Sequence, residues 1–205
     1  MDDYRRLWVT WARTNYSDPQ VAAAAVDAAM LAIERGSIPY AAAIEGHEAA
    51  ISVGGEYRCR PDRTGAAMAV CILVAVLFIP ATLAGLSVNP ALGGYVFLAV
   101  VGGGPVVAFL GLLQIRRNSF FFANRRELGR RGWRGNVVFS AARSEVSFIR
   151  LRSGSWAAAV FQRGGDDSNA TLVMSDGRSE STDLYWWTDH HFKEFARVAG
   201  LPVRS

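Results

Sequence analysis

Two long runs of apolar residues dominate the middle of the chain. Residues 66–88 (AAMAVCILVAVLFIPATLAGLSV) carry no charged side chain, and a helix of this length rises roughly 34 Å, more than the hydrocarbon core of a bilayer. Residues 91–115 form a second run without an ionisable side chain, and only Asn89 and Pro90 separate the two. The pattern predicts an integral membrane α-helical hairpin over 66–115, with two antiparallel transmembrane helices at 66–88 and 91–115.

Arginines on both sides of these runs predict the orientation of the hairpin. Arg58, Arg60 and Arg63 precede the first run, a larger set follows the second, and the turn between the runs has no charge. Arginine and lysine are enriched on the cytoplasmic side of membrane helices. We therefore expect a multi-pass protein of the cell membrane with both termini in the cytoplasm.

The arginines that follow the second run are also the candidate binding site. Near an anionic surface each arginine contributes about 1 kcal/mol of attraction, so a cluster can bind lipid headgroups or a docking partner. The predicted site consists of Arg116, Arg117, Arg125, Arg126, Arg130, Arg131 and Arg134.

Glycines and a proline interrupt the second run, and they predict a kink. One interpretation is close packing against the first helix or a partner helix through small residues. The other is a substrate or ion path along a broken helix, which needs polar groups near the middle of the membrane; the run has none, so packing is favoured. The packing residues are Gly94, Gly102, Gly103, Gly104, Pro105 and Gly111.

Residues 1–57 are predicted to form a small helical segment. The sequence SDPQ at 17–20 is typical of a helix start, because it offers a capping side chain and a proline in the first turn. The segment carries eight acidic and four basic side chains, which argues against nucleic acid as its partner.

After the second run the pattern changes to short apolar stretches between glycine, asparagine and aspartate, which predicts an antiparallel α+β domain over 119–202. Asp176-Gly177 between two alternating stretches is a strong signal for a tight hairpin. A closing helix is predicted over 190–199. The predicted strands are 119–124, 136–140, 144–152, 156–163, 170–175 and 179–187.

This order of elements resembles the small bacterial pleckstrin-homology-like (PH-like) domains that follow a two-helix membrane hairpin. The resemblance covers 119–202 and the hairpin before it, and it rests on the order of elements, with no diagnostic motif. It implies a cytoplasmic, PH-like strand domain and assigns no functional residue.

Composition agrees with this division of the chain. The hydrophobic fraction of 51% and the mean hydropathy of +0.14 are high, and the excess lies almost entirely in the two apolar runs. Of the two cysteines, Cys71 falls within the first run and Cys59 is expected to be exposed just before it. Two cysteines alone make neither a disulfide framework nor a metal site.

Candidate chemistry is sparse. Asp189, His190, His191 and Glu194 invite a zinc or proton-transfer site, but adjacent histidines on a helix point about 100° apart and too few ligands share one face. His47, beside Glu48, is expected to face solvent. We therefore predict no catalytic residue, metal or cofactor.

These features together predict a non-enzymatic, membrane-anchored interaction or accessory protein that docks on a membrane complex or on inner-leaflet lipids. Its expected partners are membrane lipids and a membrane protein or a second copy of itself, and not nucleic acid. The alternative is a small oligomeric transporter or channel subunit with a pathway along 91–115. The sequence leaves open the identity of the partner, the oligomeric state, and whether the segments before and after the apolar runs pack together.

Overall fold

The structure, a computed structural model, describes residues 2–88, 103–152 and 169–204, with the backbone alone for 2–3 and 77–88. Three helices come first: α1 (Asp2–Asn15), α2 (Pro19–Glu34) and α3 (Pro39–Ser52). As predicted, α2 begins at the SDPQ sequence, where the Asp18 side chain accepts a hydrogen bond from the backbone N–H of Gln20 at 2.8 Å.

Alanine allows the three helices to approach each other closely. The buried cluster between them combines a few large side chains, such as Trp8 and Tyr16, with seven alanines that are almost completely buried. At Gly46 on α3, an added Cβ would lie only 2.8 Å from the carbonyl oxygen of Ala25 on α2. The helical segment therefore depends on small residues at its centre.

The first sheet joins the segment before the apolar runs to the segment after them. It contains β1 (Tyr57–Cys59), β2 (Phe120–Ala123), β3 (Glu127–Arg131) and β4 (Val137–Ala142), all antiparallel and in chain order. Because β1 pairs directly with β2, the residues before the apolar runs and those after them form one sheet.

The second sheet has the order β7-β6-β5-β8. It contains β5 (Val146–Arg152), β6 (Asn169–Met174), β7 (Ser179–Asp183) and the two-residue β8 (Val203–Arg204), which runs parallel to β5. The predicted turn at Asp176-Gly177 is confirmed. Gly177 has φ of 87°, a left-handed conformation that favours glycine.

The last helix, α6 (Asp189–Val198), covers an aromatic core. Phe121 of β2 contacts Trp187, Phe192 and Phe195, with ring centroids between 4.7 and 5.6 Å apart. Tyr57 of β1 stacks on Phe195 at 6.3 Å. The segments before and after the apolar runs thus share one hydrophobic core.

Between β1 and β2 the described residues form two further helices, which contact each other: α4 (Arg63–Val88) and α5 (Gly103–Asn118). Two hydrogen bonds fix the start of α4 to the start of α6, because the Asp62 carboxylate accepts from the backbone N–H of Thr188 at 2.9 Å and from its hydroxyl at 2.7 Å.

These helices contradict the predicted transmembrane hairpin. Among the residues that the structure describes, no helix combines the length and the apolar character needed to cross a membrane.

The predictions of an integral membrane fold, of spans at 66–88 and 91–115, and of a multi-pass cell-membrane location with cytoplasmic termini are corrected by this finding. What the structure shows is an α+β fold with one antiparallel and one mixed sheet. Residues 89–102, which include the predicted Asn89-Pro90 turn, lie outside the described residues.

Most of the predicted strands agree with the structure, and most of their predicted ends differ from the observed ends by two residues or fewer. The exceptions are the stretch 156–163, which lies outside the described residues, and the last strand, which ends at Asp183 and not at residue 187. The prediction missed β1, β3 and β8.

Candidate docking surface

The seven predicted arginines do not form one patch, because the structure separates them into three places. Arg116 and Arg117 lie in the last turn of α5 and are exposed, and the exposed Arg134 follows β3. Arg125 and Arg126 lie at the opposite end of β2, in the turn before β3.

The remaining two arginines, Arg130 and Arg131, lie within β3 and point to opposite faces of the sheet. Arg130 is directed inwards, with its guanidinium carbon 5.2 Å from the ring centroid of Trp187 and 5.6 Å from that of Phe121. Arg131 lies about equally far from the rings of Phe120 and Phe122 and donates to the carbonyl of Gly135 at 3.3 Å. Both side chains have structural roles.

The turn that carries Arg125 and Arg126 is held by an asparagine. The side-chain oxygen of Asn124 accepts from the backbone N–H groups of Arg126 at 2.8 Å and Glu127 at 2.9 Å. This geometry leaves both arginine side chains exposed.

The first group lies at the base of the inserted helices. The side-chain N–H of Asn118, the last residue of α5, donates to the carbonyl of Trp133 at 3.1 Å, which holds the β3–β4 turn against α5. Trp133 is 49% exposed, and the guanidinium carbon of Arg134 lies 4.6 Å from its ring centroid.

The first turn of α4 reaches the same place. A Cβ on Gly65 would lie 3.9 Å from the guanidinium of Arg116. Arg63 donates to the carbonyl of Tyr185 at 3.3 Å, which fixes its side chain. We call the set Arg63, Arg116, Arg117, Trp133 and Arg134 the collar.

Beyond the collar, both helices expose large apolar side chains. Large exposed apolar patches on a protein commonly mark sites that bind another protein, a membrane or a ligand. The residues are Val70, Ile72, Leu73, Val76, Val106, Val107, Leu110 and Leu113.

The predicted packing residues of the second run make no close contact within the described chain. At Gly103, Gly104 and Gly111 an added Cβ would meet no atom within 4 Å. Pro105 lies in the first turn of α5, where its missing N–H costs no hydrogen bond. Gly94 and Gly102 lie outside the described residues, and contact of these positions with another chain stays a prediction.

The sequence predicts that His47 faces solvent, and this prediction is wrong. His47 is buried, with only 4% of its surface exposed. The hydroxyl of Tyr16 and Nδ1 of His47 are hydrogen-bonded at 2.7 Å, and the rings of Trp11 and Tyr57 lie 4.8 and 4.4 Å from the imidazole. Burial lowers the pKa of His47 to about 4, so the imidazole is neutral at physiological pH.

Cys59 is also buried, against expectation, because β1 places it under α6. Burial raises the pKa of its thiol well above the ordinary value, so the nucleophilic thiolate is suppressed. Neither His47 nor Cys59 is therefore arranged for catalysis.

The polar start of α6 is part of the packing between α3, β1 and α6. The imidazole of His190 stacks on Tyr40 with centroids 5.7 Å apart, and the carboxylate of Glu194 accepts from the Tyr57 hydroxyl at 3.4 Å. In the part of the chain that the structure describes, no three histidine, cysteine or acidic side chains are grouped closely enough to hold a metal ion.

The chain matches no protein-family model, no curated protein and no solved structure.

Proposed function

We propose that this chain is a non-enzymatic interaction protein whose collar binds anionic lipid headgroups. The observation that carries the proposal is that three exposed arginines and an exposed tryptophan lie at one place. The side chain of Asn118 holds the carbonyl of Trp133 against the end of α5, which carries Arg116 and Arg117, and Arg134 lies over the Trp133 ring. None of the three arginines has an ion pair with a described residue, so their charge is free to attract an anionic partner.

Phosphate chemistry suits these side chains. The planar guanidinium offers several N–H donors that match phosphate oxygens two at a time. Tryptophan is favoured where an apolar and an aqueous environment meet, since its ring is amphipathic. The exposed apolar side chains of α4 and α5 begin next to the collar and supply the apolar side of such a boundary.

The collar is favoured over the other predicted arginines on the same grounds. Arg130 is engaged within the fold, and Arg125 and Arg126 have neither an exposed aromatic ring nor an apolar helix face among their described contacts. The alternative, a channel or transporter pathway along 91–115, needs a membrane-crossing helix, and no helix among the described residues is long and apolar enough to be one.

Vesicle binding of the whole chain tests the proposal. The variant Arg116→Gln/Arg117→Gln/Arg134→Gln is compared with Arg125→Gln/Arg126→Gln/Arg178→Gln, which removes the same charge from exposed sites away from the collar. The vesicles are phosphatidylcholine with and without phosphatidylglycerol.

We expect binding only when phosphatidylglycerol is present, and loss of about hundredfold in affinity in the collar variant, from about 1 kcal/mol for each arginine. Equal losses in both variants would reduce the effect to net charge and overturn the collar. A protein that co-purifies with the wild type and not with the collar variant, without vesicle binding, would replace the lipid by a protein partner.

A further inference from the structure

A groove between α1 and α2 lies on the side of α2 that α3 does not cover. Its volume is about 610 Å³, within the range typical of small-molecule sites. The floor is apolar and well packed, formed by the buried side chains of Ala12, Ala22 and Val26. Val9 and Ala23 form the walls, so a narrow apolar molecule would contact carbon atoms on several sides.

Two arginines of α1 stand at the ends of this groove. Arg5 and Arg13 are eight residues apart, which on a helix is about 12 Å. The guanidinium of Arg5 is paired with the Asp27 carboxylate at 3.7 Å. Arg13 has no ion pair with any residue that the structure describes, so the groove has a free positive charge at one end only.

This asymmetry defines the ligand chemistry. A groove with an apolar floor and about 12 Å along α1 between its two arginines suits an extended hydrocarbon chain, and a single free guanidinium suits one carboxylate. A second carboxylate at the far end of the ligand would meet the Asp27 carboxylate beside Arg5, and a cation would be repelled at Arg13.

We propose that this groove binds an amphiphilic monocarboxylate, with its carboxylate on Arg13 and its hydrocarbon tail along Ala12, Ala22 and Val26. This site goes beyond the lipid-headgroup function of the collar, with which it shares no residue. The two sites also differ in ligand, since the collar addresses phosphate at a lipid surface and the groove addresses a single free molecule.

Calorimetric titration of the whole chain with decanoate, at concentrations at which it does not form micelles, tests the groove. Arg13→Gln removes the charge, Ala23→Trp fills the groove from an exposed position, and Arg6→Gln is the matched control on the same helix outside the groove. Circular dichroism confirms that each variant keeps its fold. Decanol serves as the uncharged ligand.

We expect saturable binding of decanoate with one site per chain, about tenfold weaker in Arg13→Gln, abolished in Ala23→Trp and unchanged in Arg6→Gln. Decanol that binds as tightly as decanoate, or an Arg13→Gln variant that binds like the wild type, would overturn the assignment of the carboxylate. No saturable binding by the folded wild type would overturn the site. Vesicle binding by the collar is independent of all three outcomes, so the two proposals fail separately.

Discussion

The guanidinium of Arg130 in β3 binds the carboxylate of Asp183 in β7, with 2.9 Å between Nη1 and Oδ2. The same nitrogen donates to the hydroxyl of Thr182 at 2.6 Å and to the carbonyl of Asp183 at 3.1 Å. Since β3 belongs to the first sheet and β7 to the second, this one side chain connects the two sheets. Arg130 is 12% exposed and Asp183 is 55% exposed, so the pair is half shielded from water.

Loss of Arg130 should cost more stability than loss of its partner. Asp183→Asn removes a half-exposed charge and should lower the free energy of unfolding by about 1 kcal/mol. Arg130→Ala also removes the contacts with Trp187 and Phe121, and it should cost about 2–3 kcal/mol. Urea denaturation followed by tryptophan fluorescence measures both.

The exposed pair Asp176–Arg178 is the control for this comparison, because both side chains are in solvent at a turn. Its disruption should leave the urea midpoint unchanged. Equal costs for Asp183→Asn and Arg130→Ala would show that the ring contacts of Arg130 contribute nothing.

His47 should make the stability depend on pH. Burial lowers its pKa in the folded chain to about 4, against 6.5 in the unfolded chain, so only the unfolded chain binds the proton between these values. The contribution of His47 to the free energy of unfolding is therefore fully present above pH 6.5. It is lost as the pH falls towards 4, by roughly 3 kcal/mol in all. Denaturation midpoints at a series of pH values measure the slope.

His47→Gln should abolish most of this slope, because glutamine still offers a hydrogen-bond acceptor to Tyr16 and does not titrate. His190→Gln, at an exposed position, should retain the slope. A slope that persists in His47→Gln would assign the pH dependence to other groups.

The two cysteines should react at very different rates. Cys59 is buried and burial raises the pKa of its thiol, whereas Cys71 on α4 is partly exposed. Under native conditions, alkylation of Cys59 should be at least about a hundredfold slower than that of Cys71 and should require opening of the fold. Mass spectrometry after timed labelling measures both rates, and similar rates would contradict the placement of β1 beneath α6.

The elements with local signals were predictable from the sequence. The Asp18 cap with Pro19 marks the start of α2, and the Asp176-Gly177 turn marks the β6–β7 hairpin. These signals act within a few residues. The three residues of β1 carry no such signal, since their partner strand lies about sixty residues further along the chain.

The missed β1 explains further differences. Cys59 lies in β1, and Tyr57 of β1 packs against His47. Without β1, nothing in the sequence predicts that these two residues are buried. The positions of the arginines in the sequence likewise do not show which way each side chain points. Successive side chains of a strand point to opposite faces, and in β3 this directs Arg130 into the fold. Length and apolar composition of the two runs predict spanning helices, but the helices that the structure describes there do not meet the requirements for crossing a membrane.

Gly129 and Gly111 should respond in opposite ways to the same substitution. An added Cβ at Gly129 in β3 would contact the backbone oxygen of Phe139 and lie 2.7 Å from the ring of Phe122, so Gly129→Ala should cost about 2–3 kcal/mol. Gly111 in α5 has open space around it, and Gly111→Ala should stabilise the helix by up to about 1 kcal/mol. Thermal unfolding measures the two changes. A stable Gly129→Ala variant would contradict the close contact of β3 with β2 and β4.

Gly111→Ala also tests the predicted helix packing. If this variant reduces the oligomeric mass measured by light scattering, then a second chain approaches α5 at this glycine, as the predicted packing requires.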